Sequence, residues 1–407
     1  MTTSQMIADF TTLAIQAGGW MELDRLYLQN RLLSMIGEQE LGEVDIRPVA
    51  TPAADLAEQL CQIASANQLI KTEQQKEQFM VQLMDLLTPP PSVVNAFFAQ
   101  HYAKEPQEAT EYFYQLCQKN GTVIEQEKPV VFSTVYGDYG DFLANKVHSE
   151  APKATLSAQN YPRCEWCMAT EGYQGSQQFP ATTNHRVIRM NLDGESWGFS
   201  FVKQAQYQQQ GVIAFEKHQA AKRSVKTFQQ LLKIVEVFPH YFAGIDAVFE
   251  QNEHVYYQTG LQQFPLAEAS ISEYVELANY PLINAGMVNW PVATFRLEGP
   301  NASEVAQAAN DIFEQWQTLK LPTDEIQIVA RRKELLYVMD LIFSRPQAKP
   351  SLTLAEVQGL TTWSNQKTQA LETVASAYQQ RLKEASAFAE TSEGKAAFLA
   401  MVAPVTH

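Results

Sequence analysis

Tyr161-Pro162-Arg163-Cys164-Glu165-Trp166-Cys167 opens the stretch YPRCEWCMATEGYQG (161–175), in which two cysteines stand a metal-ligand spacing apart. Cys-x-x-Cys lets two thiolates converge on one zinc ion, but a closed tetrahedral site takes about four ligands. Read alone, the pair therefore fits either half of a zinc site or two buried thiols. A redox Cys-x-x-Cys fits less well, because no strand leads into the motif and no thioredoxin-like helix clearly follows. Glu171-Gly172-Tyr173 and then Asn184-His185-Arg186 follow closely in the chain.

On either side of this block the periodicity changes. Upstream, to about Gly121, apolar residues recur at helical spacing: Ile7, Phe10, Leu13 and Ala14, then Leu23, Leu26, Tyr27, Leu32 and Leu33, then Phe79, Leu83, Met84 and Leu87. Gly18-Gly19, Pro89-Pro90-Pro91 and Asn120-Gly121 predict the stops, and Ser92 is placed to cap the segment that follows the prolines. Downstream, Val130 to Phe132, the alternating Trp197, Phe199 and Phe201, and Gly211 to Phe215 predict strands. Further strands are predicted at 292–297, 325–331 and 335–343, with helices over 222–237, around Val305 to Trp316, and from about Gln366. The pattern is α+β: a helical N-terminal region (1–121), a strand-rich stretch with the Cys-x-x-Cys (122–284), a second, reduced one (285–350), and a helical tail (351–407).

Composition narrows the class of function. The 407 residues carry a formal net charge of -15, which argues against nucleic acid or an anionic membrane as partner. An anionic small molecule would need a locally basic pocket, for which Lys217, Lys222, Arg223, Lys226 and the run Arg331-Arg332-Lys333 are the candidates; solvated exposed faces explain most of them better. Four cysteines make no disulfide framework, the first residues show no signal peptide, and no apolar run reaches the roughly 20 residues that cross a bilayer. A cytoplasmic protein is expected.

Several segments together resemble the class II galactose-1-phosphate uridylyltransferases. They are Ile7 to Phe10, Leu23 to Arg31, Tyr136-Gly137-Asp138, the Cys-x-x-Cys block with Asn184-His185-Arg186, Ser196 to Phe199, and Phe238-Pro239-His240-Tyr241-Phe242. The resemblance implies two histidine-triad-like half-barrel units with antiparallel strands. It also implies a homodimer, and uridylyl exchange between UDP-glucose and galactose 1-phosphate (UDP-hexose and hexose 1-phosphate as ligands) through a uridylyl-histidine. Nucleophilic catalysis of this kind splits one difficult transfer between anions into two displacements.

The family motif is a Gly-Gly-Ser loop leading into His-x-His, whose first histidine has a structural or metal role and whose second is the nucleophile, followed by a glutamine. Matched to Asn252-Glu253-His254, it makes His254 the nucleophile equivalent and Gln258 the glutamine. Cys164, Cys167 and His218 are then the zinc ligands, and Arg331-Arg332 a basic pair for the substrate. The departures are specific: Asn252 replaces the first histidine, no Gly-Gly-Ser loop is present, and 121–131 carries no arginine. They leave a second expectation beside the enzyme, a catalytically impaired homologue that binds ligand or regulates.

Overall fold

Apolar residues at helical spacing become six helices in the computed structural model, which describes residues 1–124, 129–133, 139–146, 161–176, 179–261, 263–320, 325–345, 351–363 and 371–405. The helices are α1 (Thr3–Gln16), α2 (Arg25–Ile36), α3 (Ala53–Ala66), α4 (Glu73–Leu86), α5 (Pro91–Tyr102) and α6 (Pro106–Lys119). Strands follow: β1 (Val130–Ser133), β2 (Asp141–Lys146), β3 (Ile188–Leu192), β4 (Glu195–Phe201) and β5 (Gly211–Phe215). Helix α7 (Val225–Val237) leads to β6 (Phe242–Ile245), β7 (Tyr256–Gly260), the short α8 (Pro265–Glu268), β8 (Ile271–Val275), β9 (Asn284–Val288) and β10 (Thr294–Gly299). Helix α9 (Ala302–Leu319), β11 (Glu325–Lys333), β12 (Leu336–Ser344), α10 (Leu354–Val357), β13 (Leu360–Trp363), α11 (Leu371–Ala385) and α12 (Ser392–Val402) complete the described chain. The fold is α+β, and no helix among the described residues is long and apolar enough to cross a membrane. The Tyr136-Gly137-Asp138 motif lies outside the described residues.

Contacts divide the chain into two units. The first takes in 1–125, 153–190 and 198–204. Its helices close where sequence chemistry says they should: Thr2 and Thr72 accept hydrogen bonds from Gln5 and Gln75 amides, and Gly37 ends α2 at φ +78°. Ser92 is not the cap of α5, as sequence suggested; the helix starts one residue earlier, with Pro91 in the first turn, where its missing N–H is no loss. Ile7, Phe10, Leu28, Leu32, Leu56, Leu60 and Leu83 form the core beneath these helices.

The second unit takes in 126–152, 191–197 and 205–407. Its sheet runs β5-β7-β6-β11-β12-β10-β9-β8, and every pair from β5 to β8 is antiparallel. Within it one pattern occurs twice. β5–α7–β6–β7 and β10–α9–β11–β12 are each a strand, a crossing helix and a hairpin, and the β6–β11 pair joins them as mirror-ordered halves. Helices α7 and α9 pack on each other, with Phe228 against Phe313 at 5.9 Å.

A second apolar cluster contains Val329 and Ile342 of the sheet with Leu352, Leu354, Val357, Leu360, Tyr378 and Leu382 from the C-terminal segment. Backbone and side chain both fasten that segment: Gln327 Nε2 donates to the Leu352 carbonyl, Trp290 Nε1 to Val357, and β13 pairs with β2 in parallel. Gly244 lies where this packing is tightest. A Cβ there would sit 2.7 Å from the Ile328 carbonyl oxygen and 2.8 Å from Leu354 Cδ2. Gly244→Ala is therefore expected to cost about 1–3 kcal/mol by overpacking, read as a lower urea midpoint at unchanged slope.

Candidate functional site

In the first unit the Cys-x-x-Cys block is a turn, with the Cys167 amide donating to the Cys164 carbonyl at 3.3 Å. The two sulfurs stand 3.3 Å apart, close to the roughly 3.8 Å edge that two Zn–S bonds of about 2.3 Å make at a tetrahedral angle. The neighbouring Cys167 thiol, and then burial, push the Cys164 thiol far above its ordinary range. Surrounding residues hold the turn. Thr170 Oγ1 donates to the Cys167 carbonyl, Thr182 Oγ1 to Thr170, and the Glu171 carboxylate accepts from the Val187 amide while pairing with Arg189.

The Asn-His-Arg motif that follows turns out to be scaffold. Asn184 and Asn120 exchange side-chain-to-carbonyl hydrogen bonds. The buried Arg186 guanidinium takes the carbonyls of Thr88, Pro89, Thr183 and His185 and pairs with Asp85 at 2.8 Å. Burial, and then the Arg186 and Arg189 charges, depress His185 to about 4, so it is neutral at pH 7.

In the second unit, two loops continue the β5–β7 ladder beyond its strands: Val255 N donates to the Gln219 carbonyl and Ala221 N to Asn252. That zipper places His218 and His254 side by side, ring centroids 4.8 Å apart. His254 Nε2 lies 2.7 Å from the Phe215 carbonyl oxygen, a contact in which Nε2 carries the proton and donates. The first unit thus carries two thiols on one turn and the second two imidazoles side by side, each pair made of groups that can ligate a metal ion. Two thiols and two imidazoles are the donor chemistry of a structural zinc site.

Gln258 projects from β7. Its Nε2 donates to Asp246 Oδ2 at 3.1 Å, and Tyr207 OH approaches its Oε1 at 3.5 Å. Burial raises the Asp246 pKa against the opposing pull of its hydrogen bonds and of Arg223. The second half of the sheet puts Asp340 in the corresponding place, opposite Val329, just as Gln258 lies opposite Gly244. Asp340 is 0% exposed and pairs with Arg296 at 2.6 Å and Arg331 at 2.5 Å.

The two arginines of the basic pair part company, since adjacent strand residues face opposite sides. Arg331 goes to Asp340, and Arg332 lies over the Tyr337 ring at 3.9 Å. One ligand cannot be gripped by both from a single face of β11. Asp246, Tyr207, Arg296 and Asp340 were absent from the sequence reading. Asp340 lies in the run LYVMDLIFS, where a lone acid gives no sign that its partner Arg296 is 44 residues away.

Known proteins share this chain's sequence over most of its length. Residues 19–142 match the galactose-1-phosphate uridyl transferase N-terminal domain family. The galactose-1-phosphate uridylyltransferase of Enterococcus faecalis is 34% identical over 368 residues, covering 84% of this chain and 74% of that protein. Its counterpart in Lactococcus lactis subsp. cremoris is 33% identical over 369 residues, covering 84% and 75%. Among solved structures, yeast Ap4A phosphorylase Apa2 in complex with AMP is 10% identical with a TM-score of 0.48, covering 71% of this chain and 98% of that one. A third of the residues identical across more than four-fifths of the chain is common descent, and the chain belongs to the galactose-1-phosphate uridylyltransferase family.

Proposed function

We propose that the chain transfers a uridylyl group between UDP-glucose and galactose 1-phosphate. The observation that carries this reading is the 34% identity to a galactose-1-phosphate uridylyltransferase along 84% of the chain. In this reading His254 is the nucleophile. Its Nε2–H is fixed on the Phe215 carbonyl, so Nδ1 attacks the α-phosphorus of UDP-glucose. The phosphorus–oxygen bond to glucose 1-phosphate breaks, and its electron pair leaves on the departing oxygen. A phosphate oxygen of galactose 1-phosphate then displaces the imidazole in a second in-line step. Asp246 takes one hydrogen of the Gln258 amide, which leaves the other for a phosphoryl oxygen that gains charge as the bond forms.

Cys164, Cys167 and His218 are assigned to zinc, which when bound supplies structural rigidity to the loops that carry them.

A second reading, a homologue that binds the nucleotide sugar without turning it over, is favoured by His254 itself. Its side chain is only 3% exposed and its ring lies against His218. The Nδ1 lone pair that would attack phosphorus is the same one a metal would take, and it cannot serve both.

Incubation with UDP-glucose labelled at the α-phosphate separates the two. Transfer predicts an acid-labile adduct, together with exchange into UDP-galactose, both lost in His254→Ala. Binding of UDP-glucose by calorimetry with neither adduct nor exchange would establish the second reading instead.

A further inference from the structure

Two polar side chains stand on one face of β7, and the opposite face of the strand is closed. Tyr256 and Gln258 are half-buried, whereas Tyr257 and Thr259 are buried. Period-two alternation accounts for the split. Tyr257 OH donates to Gln230 Oε1 of α7 at 2.5 Å, so that side of the strand belongs to the helix, and Tyr256 and Gln258 share the side turned away from it. The register is regular here: Ala214 of β5 lies opposite Tyr256, Val212 opposite Gln258, and Gly244 of β6 opposite Gln258 on the other edge. No bulge turns Tyr256 off the face that carries Gln258.

His254 precedes Tyr256 by two residues, and Val255 between them keeps the chain extended: its carbonyl accepts from Phe215 N at 3.0 Å and its amide donates to Gln219 at 3.1 Å. Extended chain advances about 3.4 Å per residue, so His254 and Gln258 stand roughly 14 Å apart with Tyr256 midway, about 7 Å from each. A ligand group that reaches from Gln258 towards His254 crosses the Tyr256 side chain. We propose that Tyr256 is a further substrate-binding residue, its phenolic hydroxyl donating to an oxygen of the α-phosphoryl group of UDP-glucose beside the Gln258 amide. This rests on the proposed function, in which that phosphoryl group lies at Gln258.

Counting donors gives the phenol its role. The α-phosphoryl group of a nucleoside diphosphate sugar has two non-bridging oxygens that share one negative charge. Asp246 already holds one hydrogen of the Gln258 amide, so Gln258 serves only one of them. The Tyr256 hydroxyl supplies a donor for the other, and it carries no charge of its own to desolvate on a half-buried face.

Calorimetry of UDP-glucose binding to the whole chain, with phosphorus NMR of the bound nucleotide sugar, tests this. Tyr256→Phe keeps the ring and removes only the hydroxyl. It is expected to weaken binding about tenfold or more, the loss of one hydrogen bond to a charged acceptor, at an unchanged melting temperature. The α-phosphorus resonance of bound UDP-glucose should move in the variant by more than the β-phosphorus resonance, and Gln258→Ala should weaken binding as well. Native affinity in Tyr256→Phe beside weakened binding in Gln258→Ala would overturn the proposal and leave the reading of the site intact. Weakened binding with the α-phosphorus resonance unmoved would make Tyr256 a structural residue and overturn it too. No binding of UDP-glucose by the native chain, or binding that neither substitution weakens, would overturn the reading of the site together with the proposal.

Discussion

Asp340→Asn is expected to cost about 3–5 kcal/mol of folding stability, because it leaves Arg296 and Arg331 charged and without their shared counter-ion in the interior of the sheet. Both Asp340 oxygens are engaged. Arg296 Nε donates to Oδ1 at 2.6 Å and its Nη2 to Oδ2 at 3.1 Å, and Arg331 Nη1 donates to Oδ2 at 2.5 Å. Burial by itself would raise the Asp340 pKa, but the Arg296 and then the Arg331 charges outweigh it and hold the carboxyl below its ordinary range. The folded pKa thus lies below the unfolded value of about 3.9, and the folded state binds fewer protons there. The resulting stabilisation is complete above about pH 4 and drains away as pH falls towards the folded pKa. Urea titrations at pH 7 and in mild acid check both halves: a large gap between the native chain and Asp340→Asn at pH 7, narrowing in acid. Replacing all three residues with apolar side chains of similar volume should recover much of the loss, since stranded charge is the main cost. A loss below about 1 kcal/mol at pH 7 would show the charges to be better hydrated than their burial implies.

Removing one thiol is expected to abolish metal binding. Zinc content measured on purified protein should be about one per chain, and Cys164→Ser should lose roughly 100-fold or more in affinity, since a hydroxyl is a far poorer zinc ligand than a thiolate. A chelator should lower the melting temperature of the native chain and leave that of Cys164→Ser unmoved, because metal that binds only the folded state stabilises it. His254→Gln sharpens the test. If His254 is a ligand, zinc affinity falls with it; if zinc content stays at one per chain, His254 is not a zinc ligand. No zinc in the native chain under metal-replete conditions would leave Cys164 and Cys167 as a thiol pair, Cys167 buried and Cys164 half-buried.

Much of the architecture was legible along the chain. Trp197, Phe199 and Phe201 alternate and are buried in β4, Gly211 to Phe215 is β5 as predicted, and the 305–316 periodicity lies within α9. In each case the signal is local, one face of one element recurring at its own period. The short strands β6, β8 and β9 gave no such signal. Four or five residues hold too few repeats of period two to stand out, and these segments are strands because neighbours supply their hydrogen bonds. Helix α3 carries the local signal as well, with Leu56, Leu60 and Ile63 at helical spacing.

The site divides along the same line. Spacing singled out Cys164 and Cys167, and the family resemblance added His218 and His254 to the chemistry-bearing set. Which histidine nitrogen meets the Phe215 carbonyl, which acid orients Gln258, and which way Arg331 and Arg332 face are properties of register and packing. Those depend on residues 12 to 44 positions apart: Phe215 with His254, Asp246 with Gln258, Arg296 with Asp340. Sequence determined the ancestry and the inventory of reactive groups, since both are carried by residue type and local spacing. Tertiary structure decided what each group is free to do, because burial and hydrogen bonding come from partners that no local pattern can name.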